Sequence, residues 1–579
     1  MHGWTGKILK VDLTAGRIWH ERLNPELLAA YLGGRGLGVR LMRNHFQLDP
    51  FDPQMPLIFA VGPLCGTSAP VSSRMSVVSR SPLTGTIFDS SAGGLFPWSL
   101  KASGFDVLYI SGKSREPAIL KITPDSQEIQ GAGTLWGKTI GETVGALSGY
   151  GSVAAIGPAG ENRVLFADII MDGMHSAGRG GLGAVMGSKG LKAVVIRGDM
   201  EVAIADGDCL EIARKKAVRL FHASPFIVGE SGIKRFGTPA LVDIIARGRM
   251  TPTENFRKTF FSYTGNYSGP SINKAYGAVC ESCSDCPIAC KKMTPEGKVL
   301  PECDALSHFG ALNGNIDLET IVKANALCNE LGMDTISAAA TLSAFGEHRG
   351  SFLSRLEILA FLLDIARRRG AGDLLAEGSR RAAEVLGRPE LSMSVKSLEL
   401  PACDPRGSYG TALAYCTSNR GGCHLRGYPI SCEILPNSVP TDRFSFSGKA
   451  RINVTAEDTH AVADSLAVCG LAFLGATLEE YGEMFKGVTG LEFTTEELLS
   501  IGSRIHLTER FYNVTNGFES MEDQLPERFY REPGTGTEGI DIPPIDRNNF
   551  DEELQNYYRM RGLTPRGTFV DTDFLAKQP

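Results

Sequence analysis

The chain has 579 residues, a formal net charge of −6, 42% hydrophobic and 21% charged residues. That balance excludes a disordered chain and gives no basic excess for nucleic acid. At roughly 100–200 residues per domain, the length predicts about three domains. Apolar runs such as 353–365 break at Ser, Arg, Glu or Asp before the ~18 residues a membrane span needs.

The first 205 residues read as β-rich. Residues 7–13 alternate apolar and polar, Thr14-Ala15-Gly16 supplies a turn, and 17–21 resumes, as in a hairpin. Short apolar runs at 57–61, 76–79, 107–111, 119–122, 153–156 and 193–196 are predicted strands, and 26–32 a predicted helix. From about Asp206 the periodicity turns helical, at 210–221, 238–247, 317–331, 335–346, 355–369 and 373–386. Arg367, Arg368 and Arg369 fit a last turn closed by Gly370, and Asp373 fits the cap of the next helix. Beyond Pro401, helices are predicted at 456–466, 477–489 and 495–513. The tail from Pro533, rich in Gly, Pro, Asp and Asn, reads as an extended surface arm. The predicted fold is α+β: an N-terminal β-sheet domain (1–205) followed by two mainly α-helical domains (206–400 and 401–579).

Met1-His2-Gly3-Trp4-Thr5 lacks the basic and apolar regions of a signal peptide, so the expected location is cytoplasmic. In that reducing setting, 13 cysteines point to metal ligands or redox groups. Cys283, Cys286 and Cys290 form C-x2-C-x3-C, a spacing that wraps one loop around a metal centre and requires a fourth ligand. Cys280 is the local candidate for that ligand. An iron–sulfur cluster fits best, because zinc usually pairs two such knuckles or adds a His pair, and no second knuckle exists. Structural zinc and free thiols are the alternatives.

Glycine accounts for 67 residues, well above the usual ~7%. Gly178-Arg179-Gly180-Gly181-Leu182-Gly183 satisfies G-x-G-x-x-G, but the preceding 172–177 does not read as a strand, so a dinucleotide fold is not predicted. It reads as a glycine turn entering a short helix, or as a backbone cradle for a phosphate. Gly33–Gly38, Ser72–Met75 and Asp89–Gly94 are further small-residue loops. Together they suggest a platform pressed against a large polar ligand, though each alone fits a tight turn. Arg420-Gly421-Gly422-Cys423-His424-Leu425-Arg426 sets a histidine among small residues. Glu302-Cys303-Asp304 sets two acids close together, by default on the surface.

In this order, these motifs resemble the tungsten-containing aldehyde ferredoxin oxidoreductase family, from Gly3-Trp4-Thr5-Gly6 to about Phe518. Ser79–Gly85, Asp334–Ser337, Thr417–His424 and Asp464–Cys469 also match it. The resemblance implies that the β-sheet domain is a base for a tungsten bis-pyranopterin cofactor, covered by the two helical domains. It assigns the [4Fe–4S] cluster to Cys283, Cys286, Cys290 and Cys469, which demotes Cys280 to a neighbouring thiol. Arg74 matches the arginine between pterin and cluster. Ser91 and Gly180 match loops whose carbonyls flank a Mg2+, with Gly93, Arg179 and Gly181 beside them. Asn329, Asp334, Asp464 and Val468 fall in the pterin-binding signatures. His424 matches the histidine beside the metal, and Asp304 takes the place of the active-site glutamate, in the stretch Pro301-Glu302-Cys303-Asp304.

The implied reaction oxidises a small aldehyde to its carboxylic acid, with Asp304 as general base and His424 as hydrogen-bond donor. Electrons pass to ferredoxin or a dedicated iron–sulfur subunit, and a homodimer or hetero-oligomer is expected. Several departures stand out. Asp304 is one methylene short of the family's Glu, about 1.5 Å; Cys303 replaces Tyr, Asn329 an acid and Ala467 a Gly. A second reading is therefore a benzoyl-CoA-reductase-type catalytic subunit with Cys303 near or on the metal. A third is a non-catalytic iron–sulfur or zinc relay. Molybdenum is an alternative to tungsten. Residues 317–320 lack the E-x-x-H of an iron bridging two subunits, so none is predicted.

Overall fold

The computed structural model describes residues 2–435, 441–571 and 573–579. Met1 of the N-terminal reading, and residues 436–440 and 572 of the third predicted domain, lie outside these. Two six-stranded sheets build the N-terminal part. β1 (Lys7–Asp12), β2 (Arg17–Arg22), β3 (Leu57–Val61), β4 (Met75–Arg80), β5 (Ile87–Ala92) and β6 (Val107–Ser111) lie in the order β2-β1-β6-β3-β4-β5. β7 (Ala118–Ile122), β8 (Gln127–Gly131), β9 (Ser152–Ala155), β10 (Ile169–Met171), β11 (His175–Ala177) and β12 (Leu191–Ile196) lie in the order β11-β10-β9-β12-β7-β8. β1 pairs parallel to β6 and β7 to β12; the other pairs are antiparallel.

Period-two alternation explains how the sheets pack. On β3, Leu57, Phe59 and Val61 join Leu120, Ile122, Val194 and Ile196 of the second sheet in one core. Ile58 and Ala60 face the other way, into a core shared with Ala461, Val462 and Leu466 of a helix from the third predicted domain. A strand buried on both faces needs a continuous apolar run, and Leu57-Ile58-Phe59-Ala60-Val61 is one.

The remainder is mainly helical. Gly207–Ala223 packs on Leu478–Thr489, and Lys449–Leu466 on Thr495–Thr515. Several ends follow the sequence: Asp317 caps Leu318–Leu331, Asp334 caps Thr335–His348, and Thr477 with Glu480 forms a capping box. No helix of the described residues is long and apolar enough to cross a membrane.

The structure corrects six local expectations. Gly33–Gly38 is not a loop but opens the helix Gly34–Leu41. Most of Asp89–Gly94 lies in β5. The short strand β11 directly precedes Gly178, but it is an antiparallel edge strand, so no dinucleotide unit results. Arg368 itself takes the left-handed cap position (φ 48), and 373–386 splits into Ala371–Leu375 and Gly378–Val385, with Asp373 inside the first. The tail from Pro533 is no mere arm: Arg547–Met560 is a helix that buries Phe550, Leu554, Tyr557 and Tyr558.

Candidate active site

The cysteine loop lies between the short strands Val279–Glu281 and Lys291–Met293, which pair antiparallel. Asp285 and Ala289 take positive φ (54 and 49), which turns the loop twice. Ile288 anchors it in the core, against which Cys286, Cys290 and Cys469 also pack. Cys469 arrives from the end of Lys449–Leu466, where its N–H donates to the Val71 carbonyl at 3.0 Å. Ala467, at the C-cap of that helix, holds φ 70, a conformation glycine adopts without strain.

Arg74 lies among these thiols. Its Nη1 is 3.8 Å from Cys469 Sγ, while Nε donates to Ser91 Oγ at 2.9 Å and Nη2 to the Ser91 carbonyl at 3.0 Å. Gly93 must lack a side chain, because a Cβ there would fall 2.7 Å from Cys283 Sγ. Burial raises the thiols of Cys283, Cys286 and Cys290, Cys286 to about 11, and their neighbouring thiols add to the rise. Arg74 opposes this at Cys283. Buried thiols that repel one another on ionising form a donor set suited to a cationic centre. Among the described residues, no three His, Cys, Asp or Glu side chains close on a single ion. Cys280 is exposed and hydrogen-bonded to Lys292 Nζ at 3.3 Å.

Asp304 and His424 come together from positions 120 apart in sequence. Asp304 lies in the first turn of the helix Cys303–Phe309, with Oδ1 accepting from the Ala402 N–H at 2.9 Å. His424 Nε2 stands 3.7 Å from its Oδ2, and both side chains are half-buried, so the acid is not a surface group. The histidine loop is glycine-rich because it is pressed on its neighbours. A Cβ at Gly421 would fall 2.6 Å from the Val395 carbonyl, and one at Gly422 2.7 Å from that of Leu398. Burial works to raise Asp304, but His424 and then His308 outweigh it and hold the carboxyl below its usual value. Burial lowers His424, as do Arg179, Arg420 and His308, against the pull of Asp304.

Glu302 Oε1 pairs with Lys291 Nζ at 2.7 Å, and chiefly this lowers its carboxyl. Cys303 is buried in the apolar cluster of Leu300, Tyr267 and Phe309, and that burial holds its thiol well above the ordinary value.

The signature residues fall around a buried polar zone. Asp464 accepts from Arg426 and, at 3.4 Å, from Arg35, whose guanidinium also clasps Glu509 through two bonds of 2.7 Å. Arg426 reaches Asp89 at 2.8 Å. Val468 is buried, and its N–H donates to the Ala463 carbonyl at 2.8 Å. Arg179 donates to the carbonyls of Gly422 and Glu399 at 2.9 and 2.5 Å and faces Asp334 at 3.5 Å. Asn329 is half-buried, its carbonyl closing the helix end onto Gly332. Gly180 and Gly181 are glycines because Phe88 and the Leu165 carbonyl stand where their Cβ atoms would be, at 2.5 and 1.9 Å. Several buried polar atoms here have no hydrogen-bond partner: Asp168 Oδ1, Arg179 Nε, Arg426 Nε and His424 Nδ1. A zone with so many unmet donors and acceptors fits a large polar ligand.

Sequence reasoning passed over Arg35, Asp168, His308, Arg420 and Arg426 as individual site residues. Only His308 carried a local signal, lying four residues after Asp304 on one helix face. Its Nδ1 and Nε2 lie 2.9 and 3.1 Å from the carbonyls of Asp304 and Leu400.

The model of the aldehyde ferredoxin oxidoreductase N-terminal domain matches residues 8–198, and that of the family's domains 2 and 3 matches 212–573. The chain is 38% identical to the tungsten-containing aldehyde ferredoxin oxidoreductase of Pyrococcus furiosus, over 98% of this chain and 97% of that one. It is 39% identical to the protein of the same description from Pyrococcus abyssi, over the same shares. Among solved structures, the active-site complex BamBC of benzoyl coenzyme A reductase with 1,5-dienoyl-CoA superposes with a TM-score of 0.84 at 25% identity, covering 98% of this chain and 96% of that one. The chain therefore belongs to the aldehyde ferredoxin oxidoreductase family.

Proposed function

We propose that this protein oxidises an aldehyde to its carboxylic acid, using tungsten held by a bis-pyranopterin, and delivers the two electrons singly to ferredoxin or an iron–sulfur subunit. The observation that carries this reading is the Asp304–His424 pair, half-buried and 3.7 Å apart, beside a zone of unpartnered buried polar atoms. Arg74, Arg179, Asp334, Arg426, Asp464 and Val468 would hold the pterins, with a Mg2+ near Ser91 and Gly180. Cys283, Cys286, Cys290 and Cys469 would hold a [4Fe–4S] cluster. Bound there, the tungsten cofactor supplies a two-electron acceptor for the aldehyde carbon, and the cluster supplies one-electron transfer outward.

The protein's own residues handle protons and orientation. With its carboxyl held low, Asp304 is ionised at neutral pH and can take a proton from the water that adds to the carbonyl carbon. With its imidazole held low, His424 is neutral and donates one N–H to the carbonyl oxygen as charge builds there. Its Nδ1 has no protein partner and is free for that contact. Hydrating and oxidising one aldehyde releases two protons and two electrons, and Asp304 is the first acceptor of the former. Arg74 touches both Ser91 and Cys469 and so would bridge a pterin beside Ser91 and a cluster on Cys469.

The BamBC likeness gives the benzoyl-CoA-reductase reading its support. Against it stands the place of Cys303, whose side chain is buried in the apolar cluster of Leu300, Tyr267 and Phe309. The deciding experiment is a substrate screen of the anaerobically purified protein with ferredoxin as acceptor. Ferredoxin reduction by aldehydes but not by a dienoyl-CoA supports the proposal; the reverse favours the second reading.

A further inference from the structure

We propose that Cys423 is a thiolate in the folded protein and that its pairing with Arg420 positions His424. The kinetic part of this proposal rests on the role given to His424 above; the charge state does not.

Cys423 is wholly buried, yet three N–H donors converge on its sulfur. Arg420 Nη2 and Nε lie 2.9 and 3.2 Å from Sγ, and the Leu425 amide lies 3.3 Å away. A thiol sulfur is a weak acceptor, whereas an anionic sulfur rewards three donors. Arg420 cannot deprotonate, and among the described residues no carboxylate lies within ion-pair distance of it. Its remaining contacts are the Asp89 carbonyl, 2.7 Å from Nη1, and the ring of Phe88. The Asp89 carboxylate is taken by Arg426 at 2.8 Å and faces Arg35 at 3.7 Å. A buried guanidinium without an adjacent anion is costly, and the adjacent group that can ionise is Cys423. Burial opposes the thiolate, but Arg420, Arg426 and Arg179 all face it and lower the thiol below its ordinary value. The contrast with the other buried thiols Cys65, Cys303 and Cys403, all pushed up, is one of neighbours and not of depth.

The consequence falls on His424. One sulfur ties residue 420 on one side of it and residue 425 on the other, while Arg179 Nη1 holds the intervening Gly422 carbonyl at 2.9 Å. The imidazole therefore leaves a turn whose two ends are clamped, and it faces Asp304 in a fixed orientation. The charge matters as well as the tether. The groups facing His424 are Asp304, His308, Arg179 and Arg420, with the Tyr428 ring 6.5 Å away. A thiolate offsets the Arg420 charge, and without it the imidazole would bind its proton still more weakly.

The charge state is tested on the anaerobic holoenzyme by infrared spectroscopy in the S–H stretching region, where only protonated thiols absorb. The wild-type minus Cys65→Ala difference should show one lost S–H band, which establishes sensitivity to a buried thiol. The wild-type minus Cys423→Ala difference should show none; a lost band overturns the proposal. Cys423→Ser serves in the same subtraction should the alanine variant not fold. In aldehyde oxidation, Cys423→Ser should lower kcat about tenfold or more with KM within about twofold, as expected for a misplaced catalytic group. It should also move the acid limb of the kcat profile to lower pH, which loss of packing alone would not do. A kcat within about twofold of wild type, with an unmoved limb, overturns the positioning role. If wild type oxidises no aldehyde, the earlier functional reading has failed, and the infrared comparison still decides the thiolate.

Discussion

Arg74 and Cys469 are 395 positions apart in sequence, and the guanidinium Nη1 stands 3.8 Å from the thiol. The same side chain holds Ser91 through both its hydroxyl and its carbonyl. If four cysteines hold a cluster here, Arg74→Met should keep iron at about four per chain. The variant should also make the cluster's reduction potential more negative, because a fixed cation beside the thiolates favours the extra electron. A potentiometric titration followed by electron paramagnetic resonance checks both. Cys469→Ser should instead lose iron, whereas Cys280→Ser should keep it, since that thiol is exposed and paired with Lys292.

Asp304→Asn keeps the shape and removes the base. The expected effect is a loss of about 10²–10⁴ in kcat, with KM changed far less. Asp304→Glu restores the family's residue but adds a methylene beside His424. It should retain more activity than Asp304→Asn, and steady-state kinetics of both variants test this.

Both members of the pair titrate below their ordinary values, so the sign of the pH dependence follows. The reaction needs Asp304 ionised and His424 neutral. At neutral pH both conditions hold, and acid removes them. The acid limb of kcat/KM should therefore lie below about pH 6.5, the ordinary histidine value. A limb centred at or above that value would contradict the assigned states.

Leu554 lies in the helix Arg547–Met560, packed with Tyr557, Tyr558 and Phe550. Leu554→Ala should cost about 2–5 kcal/mol of stability, against about 0.5 kcal/mol for a residue on a loose arm. Chemical denaturation of the two proteins measures the difference.

Much of the architecture was legible where local chemistry decides it. β3 sits where Pro56 and Gly62 bound a five-residue apolar run, and Thr477, Asp317 and Asp334 cap the helices their sequences announce. What misled were segments shaped by tertiary contact. Gly34 reads as a loop residue, yet a Cβ there would meet the Asp464 carbonyl at 2.1 Å, so the glycines serve close helix packing. The tail helix hides four buried apolar side chains in the polar string Arg547-Asn548-Asn549-Phe550-Asp551-Glu552-Glu553 and its continuation. At the site, spacing alone singled out Cys283, Cys286 and Cys290 as candidate ligands. Resemblance alone assigned Cys469 to the proposed cluster and put Asp304 and His424 each beside the proposed metal, because no local pattern links residues so far apart; that the two side chains face each other is seen only in the fold. The grip of Arg420 on Cys423 is visible only once the loop is folded.

The most direct test of the account is the metal content of the anaerobically purified chain, measured by elemental mass spectrometry. The account predicts about four iron atoms and one tungsten per chain, with the iron lost or reduced in Cys469→Ser and retained in Cys280→Ser. Zinc alone, with neither iron nor a group-six metal, would contradict it.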